Sequence, residues 1–225
     1  MGEPMNGNSE GLDVEVDVML VNQRWNELKA ARVSKKEEAD AMKKLGHQRA
    51  TMFGWPNTYA FTKAMGEMVI GHFKGNLRVA IIRPTIVSGT YRETFPGWLE
   101  GLKAIDSFIA SCGRGKLSYF VGNLETILDV IPGDMVVNAA IVAMVGHANY
   151  NSYDDDDDEC NIYHVGSSTI RDTMNPVKLI EHTYNYFSKN PLIGRDGKLV
   201  PIGVKPVTFP TMASFQRHIL PMKVS

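Results

Sequence analysis

Cysteine is scarce in this chain. The 225 residues hold two, Cys112 and Cys160, too few for a disulfide framework and too isolated from any C-x-x-C pair or histidine pair for structural zinc. Both read as reduced thiols in an intracellular reducing compartment, which leaves the cytoplasm, the endoplasmic-reticulum surface and a plastid open. Long apolar runs are also lacking: the longest apolar stretch without a charge, Met135 to Val145, is about half the ~20 residues a bilayer span requires. No transmembrane helix is expected. An excess of one charge is missing too, since 24 Lys and Arg face 25 Asp and Glu for a net of -1; no global field draws a polyanion, so nucleic acid is not an expected partner. The first twenty residues carry Glu3, Glu10, Asp13, Glu15 and Asp17 and no basic residue, the reverse of a targeting segment. They read as an internal loop rich in Gly, Asn and Pro, the opening of something longer.

What is present is a globular composition, 44% hydrophobic and 22% charged, with helices and strands in alternation. Helical composition runs from Val21 to about Leu45, with a break near Val33. There Ser34 and Glu37 form a capping box, and Gly46 is the expected stop. After the turn Gly54–Thr58, residues Phe61, Met65, Met68, Val69 and Phe73 recur at helical spacing. Leu77 to Pro84 has the β-branched apolar pattern of a strand buried in a parallel sheet. Pro96 to Cys112 reads as helix and Lys116 to Phe120 as a short strand. Asp134 reads as the N-cap of a helix over Met135 to His147. Asn161 to Gly166 is a further strand, and Asn175-Pro176 opens a helix to about Ser188. Beyond Asn190 no period persists.

Tyr59 and Lys63, four residues apart, fall on one face of the helix that starts near Asn57. A free tyrosine has a pKa of about 10 and transfers protons poorly near neutrality unless a neighbouring cation stabilises the phenolate; Lys63 is such a cation. On spacing alone, two unrelated surface residues are the commoner explanation. The acidic run Asp154 to Glu159 reads as a solvated linker rather than a cation site. His72, His147 and His164 lack the mutual spacing of metal ligands and read as capping or core residues, so no metal is expected. Met65 and Met68 read as core.

Three motifs in order carry a more specific signal. They are Gly54-Trp55-Pro56-Asn57-Thr58-Tyr59-Ala60-Phe61-Thr62-Lys63-Ala64-Met65-Gly66-Glu67, then Ile81-Ile82-Arg83-Pro84-Thr85-Ile86-Val87, then Phe95-Pro96-Gly97-Trp98-Leu99-Glu100-Gly101. With Gly113–Leu117 and Asp129–Ala139 added, the chain from about Leu12 to Asn175 resembles the alcohol-forming fatty acyl-CoA reductases of plants, including male-sterility-type members. These belong to the extended short-chain dehydrogenase/reductase superfamily. The resemblance implies an α/β fold: the C-terminal half of a Rossmann-like NAD(P)-binding domain over residues 1–190 with its first strands missing, and a Pro/Gly-rich extension over 191–225. It implies Tyr59 as proton donor, Lys63 on the nicotinamide ribose hydroxyls while stabilising the phenolate, and Pro84, Thr85, Ile86 and Val87 along the nicotinamide. Phe95 to Ala110 would help wall the acyl side. The implied reaction uses NADPH to take a fatty acyl-CoA to an aldehyde and then a primary alcohol, releasing CoA.

Three family features have no counterpart: the glycine-rich turn that holds the pyrophosphate at a helix N-terminus, the serine on an earlier strand, and the C-terminal helical domain. Ser34 reads as a cap, not as that serine. A fragment or a truncated product is therefore expected. A non-catalytic homologue acting by protein association and a nucleotide-sugar epimerase or dehydratase are the rival readings; Phe95-Pro96-Gly97-Trp98 speaks against the latter.

Overall fold

Side-chain caps open the first three helices. The Asp13 carboxylate accepts from the N–H groups of Glu15 and Val16 at the start of α1 (Val14–Ala30). Ser34 and Glu37 cap each other's backbone at α2 (Lys35–Met52), and the Asn57 side chain accepts from Ala60 N–H at α3 (Thr58–Phe73). Each satisfies donors that the first helical turn leaves without partners. The computed structural model describes residues 11–148, 160–168 and 173–219. The chain divides into two compact units, the first running to Val79 and the second taking the remainder from Ala80, Asp158–Cys160 excepted.

The first unit is helical. Its core is Leu12, Ala50, Phe53 and Phe61, with Trp55, Met65 and Met68 packed against it, and the Phe53 and Phe61 rings stack at 5.7 Å. Arg49 on α2 holds the Asp17 carboxylate of α1 through Nε and Nη2 at 2.6 and 3.1 Å, which lets an acidic side chain 2% exposed sit inside the helix pair. Two sequence expectations are corrected here. Val14 to Leu20 is helix rather than loop, because Asp13 caps it and Glu15 and Asp17 in its first turn suit the positive end of the helix dipole. Gly46 lies within α2 instead of ending it; a Cβ there would stand 3.0 Å from Thr58 Cγ2, so the glycine serves close packing.

The second unit is α/β. In chain order it contains β1 (Ala80–Pro84), β2 (Ile86–Ser88), α4 (Ala104–Gly113), β3 (Tyr119–Val121), β4 (Val130–Pro132), α5 (Gly133–Ala148) and β5 (Asn161–Val165). After these come α6 (Pro176–Lys189), β6 (Leu192–Ile193), β7 (Leu199–Val200), β8 (Val207–Phe209) and α7 (Met212–Ile219). β1 runs parallel to β5, β2 to β4 and β3 to β8, while β6 and β7 pair antiparallel. β1 is parallel as expected but not buried: its ends are exposed and its middle half-buried, since β5 is its one partner among the described residues. It also begins at Ala80, not Leu77. The helix expected over Pro96 to Cys112 starts only at Ala104, because Gly97 and Gly101 take φ of 80° and 78°. Asp134 is the second residue of α5 rather than its cap. The stretch past Asn190, which showed no period, supplies β8 for β3 and a terminal helix. The acidic run Asp154 to Glu159 lies outside the described residues.

Candidate functional site

α3 has two characters. Phe61 and Ala64 face the core of the first unit, while Tyr59, 73% exposed, projects from the first turn, with Lys63 exposed one turn on. The Lys63 ammonium stands 5.9 Å from the Tyr59 ring centroid, so the helix places a phenol and a cation together on its open side. Asn57 fixes where the helix starts and with it this face. The pair read from sequence is brought together here.

The four residues read as a cofactor wall belong to the second unit, where they mark a change of strand partner. Pro84 is in register with Val165, and Thr85 N–H still donates to Val165 C=O at 3.0 Å; Ile86 N–H donates to Asp129 C=O, also at 3.0 Å. At Thr85 the extended chain thus leaves β5 for β4. The crossing is held by one carboxylate oxygen. Asp129 Oδ1 accepts from Ser167 N–H at 2.7 Å, from Ser167 Oγ at 2.7 Å and from Thr85 Oγ1 at 3.1 Å. These Ser167 bonds, with a smaller contribution from Thr85, hold the Asp129 carboxyl below its ordinary range. A side chain at Gly166 would stand 2.8 Å from Thr85 Cγ2 and 3.0 Å from Asp129, so β5 must leave through a glycine. Ile86 and Val87 stay partly open.

A second carboxylate sits at the other end of β4. Asp134, 8% exposed, receives three successive backbone donors: Tyr91 N–H on Oδ1 at 2.8 Å, then Arg92 and Glu93 N–H on Oδ2 at 2.8 and 3.2 Å. Its own helix adds Met135 N–H on Oδ1 at 3.1 Å. The Tyr91 bond foremost, with those of Arg92 and Glu93, brings the Asp134 carboxyl down to about 2 against the cost of burial. The loop it grips closes on itself through Thr90 N–H to Trp98 C=O and Gly97 N–H to Thr90 C=O, and exposes Phe95 and Trp98. Asp106 on α4 differs in sign, its carboxyl raised by burial despite a donor from Gly89. Asp129, Asp134 and Ser167 were not assigned these parts from sequence, because their partners lie 38 to 44 residues away and no local spacing reports them.

Other expectations resolve more simply. Cys112 is buried, and burial raises its thiol. His147 Nε2 meets the Tyr163 hydroxyl at 2.6 Å beside a cavity of about 640 Å³ between α5 and β5. His72 lines another of about 480 Å³ with Leu12 and Met68. Among the described residues no group of three or more His, Cys, Asp or Glu is gathered for a metal.

Residues 6–140 match an NAD-binding family described as "Male sterility protein". The alcohol-forming fatty acyl-CoA reductase of Simmondsia chinensis is 44% identical over 232 residues, covering 100% of this chain and 45% of that protein. Fatty acyl-CoA reductase 1 of Arabidopsis thaliana is 43% identical, with 100% and 44% covered. The chain spans about half the length of these relatives. A solved structure of UDP-glucose-4-epimerase from Stenotrophomonas maltophila aligns over 72% of this chain and 48% of that one, at 17% identity and TM-score 0.42.

Proposed function

This chain belongs to the NAD-binding family described as male sterility protein, and from that membership we propose that it serves the reduction of a fatty acyl-CoA to a primary alcohol and CoA with NADPH. The observation that carries the proposal is identity above 40% across the whole chain to alcohol-forming fatty acyl-CoA reductases. The geometry supports it. Tyr59 offers a proton and Lys63 a cation from one open helical face. The Pro84–Val87 crossing begins at the carboxyl ends of the parallel pair β1 and β5, where ligands of such sheets bind, and leaves Ile86 and Val87 partly open. Taken unit by unit, the first presents a hydroxyl and a cation of the kind that a nicotinamide ribose and a carbonyl require, and the second an apolar edge of the kind that a nicotinamide ring requires. NADPH, when bound, supplies a hydride at each of the two reductions.

The chain's own residues would then act as follows. Tyr59 donates a proton to the carbonyl oxygen as negative charge develops there, and its position on the first turn of α3 adds the positive end of the helix dipole. Lys63 holds the ribose hydroxyls and stabilises the phenolate that remains. Pro84, Thr85, Ile86 and Val87 line the nicotinamide, while the loop bearing Phe95 and Trp98 meets the acyl chain. None of the described helices is long and apolar enough to cross a membrane; the proposed setting is the cytoplasm or the endoplasmic-reticulum surface.

The test replaces the matching segment of the Simmondsia chinensis reductase with this chain, and reads fatty alcohol by gas chromatography in yeast. Alcohol above the empty-vector level supports the assignment. A folded graft that binds NADPH and acyl-CoA without forming aldehyde or alcohol refutes it in favour of a non-catalytic homologue.

A further inference from the structure

We propose that Asp129 and Asp134 are paired positioning residues that hold Thr85–Glu93 from its two ends, Asp129 setting the cofactor side of the reaction and Asp134 the acyl side. The division of labour rests on the function proposed above; the clamp itself rests on geometry alone. β2 lies in parallel register on β4, Ile86 opposite Val130 and Ser88 opposite Pro132. Asp129 directly precedes β4 and takes the Thr85 hydroxyl just before β2. Asp134 follows β4 by two residues and takes three N–H groups just after β2. One short strand therefore carries a carboxylate at each end, and each fixes the corresponding end of its neighbour. Asp129 adds the exit of β5 through both donors of Ser167.

The two carboxylates differ in a way that makes them separable. Among the described residues every bond to Asp129 falls on Oδ1, so an asparagine with its oxygen turned to that side keeps all three, and only the charge is lost. At Asp134 the donors divide between the oxygens, Tyr91 and Met135 on Oδ1 and Arg92 and Glu93 on Oδ2. Whichever way an asparagine turns there, its NH₂ meets two backbone donors, and the loop is released on one side. Thr85 is the centre of the proposed cofactor wall, and the loop after Glu93 bears Phe95 and Trp98. Releasing each end should hence be felt by a different substrate.

Two measurements test this. In the full 225-residue chain, amide hydrogen exchange should speed up at least about tenfold at Ser167 in Asp129→Ala and at Tyr91–Glu93 in Asp134→Asn, as expected for losing a bond to a charged acceptor. The amides of α3 should be unchanged, and Asp129→Asn should exchange like wild type. In the grafted reductase, Asp129→Ala should raise the KM for NADPH about tenfold and leave that for acyl-CoA; Asp134→Asn should do the reverse. Should Asp134→Asn not fold, Ser167→Ala removes one donor from Asp129 with both carboxylates intact and should raise the NADPH KM a few-fold. Unchanged exchange at Ser167 and Tyr91–Glu93 overturns the clamp. A fall in kcat with both KM values constant, equal effects of Asp129→Asn and Asp129→Ala, or a Ser167→Ala graft like wild type in NADPH KM overturns the positioning role. If the wild-type graft is inactive, it is the functional reading that fails, and hydrogen exchange alone decides the clamp.

Discussion

Tyr59 and Lys63 carry the chemistry proposed for this chain, and they can be separated from everything that merely supports them. In the grafted reductase, Tyr59→Phe keeps the ring and removes the proton, so substrate binding should persist while alcohol formation falls by roughly 10²–10⁴-fold, the usual worth of a general acid. Lys63→Ala should also weaken NADPH binding, since it removes the ribose contact together with the charge. Tyr186, exposed on α6 with its ring edge-on to Phe187, gives the control: Tyr186→Phe should leave output near wild type. Alcohol yield at matched protein level reads all three, and undiminished alcohol from Tyr59→Phe would remove the mechanism. Asp134 gives a different kind of residue-scale prediction. Its carboxyl sits at about 2, below the unfolded value near 4, so it contributes stability above about pH 4 that is lost as pH falls toward 2. Asp129, also lowered, acts in the same direction; Asp106, raised by burial, acts in the opposite one. Denaturant unfolding between about pH 4 and pH 2 should therefore show a shallower loss of stability for Asp134→Asn than for wild type. Equal slopes would mean that the three N–H bonds do not persist in solution.

Elements with local causes were readable from sequence, and those with distant causes were not. The Ser34–Glu37 capping box, the Asn57 cap and Asn175-Pro176 each announce a helix start within three residues, and all three helices begin there. Ser34→Ala should accordingly cost about 1 kcal/mol, measured as a lowered denaturant midpoint at unchanged slope. β1 was visible as a β-branched run and β5 as a short strand, but that β1 is half-open depends on how many strands flank it, which no window of its own residues reports. The helix over Val14 to Leu20 was concealed because its acidic residues resemble loop composition; the burial of Asp17 is explained by Arg49, 32 residues on. β8 has three residues, too few for a period, and exists through β3. Among the site residues, Tyr59 and Lys63 stood out by spacing and family likeness, whereas Asp129 and Ser167 needed the fold to meet. Gly113 closes the same argument at helix scale. It lies one residue past the helix expected to end at Cys112, yet it belongs to α4, and a Cβ there would stand 2.6 Å from the buried Phe187 ring of α6. Gly113→Ala should thus cost about 1–3 kcal/mol through overpacking, and a Phe187→Leu background should recover part of it. A Gly113→Ala chain as stable as wild type would show that α4 and α6 pack less closely than described.

On the scale of the whole molecule, cofactor affinity and association state follow from what this chain does and does not present. Its sequence contains no G-x-x-G-x-x-G run, and backbone N–H groups at such a turn supply the bonds that hold a pyrophosphate. The 225-residue chain should bind NADPH weakly, and micromolar affinity by titration calorimetry would show that other residues hold the phosphates. Association follows from α5. Val137, Ile141, Val142, Met144 and Val145 are all exposed on it, Val142 at 70%, and such a set of neighbouring apolar side chains exceeds the scattered singles of an ordinary monomer surface. A second copy of the 225-residue chain presents the same apolar set and can meet it. Sedimentation should therefore show mass rising with concentration. Val142→Lys supplies the discriminating variant, because a lysine at so open a position disturbs little of the fold while placing a charge in the middle of the patch. It should shift the chain toward monomer without lowering its unfolding temperature. A wild-type chain that sediments as one monomeric species, or a Val142→Lys chain that associates as strongly as wild type, would mean that α5 is not the surface through which copies meet.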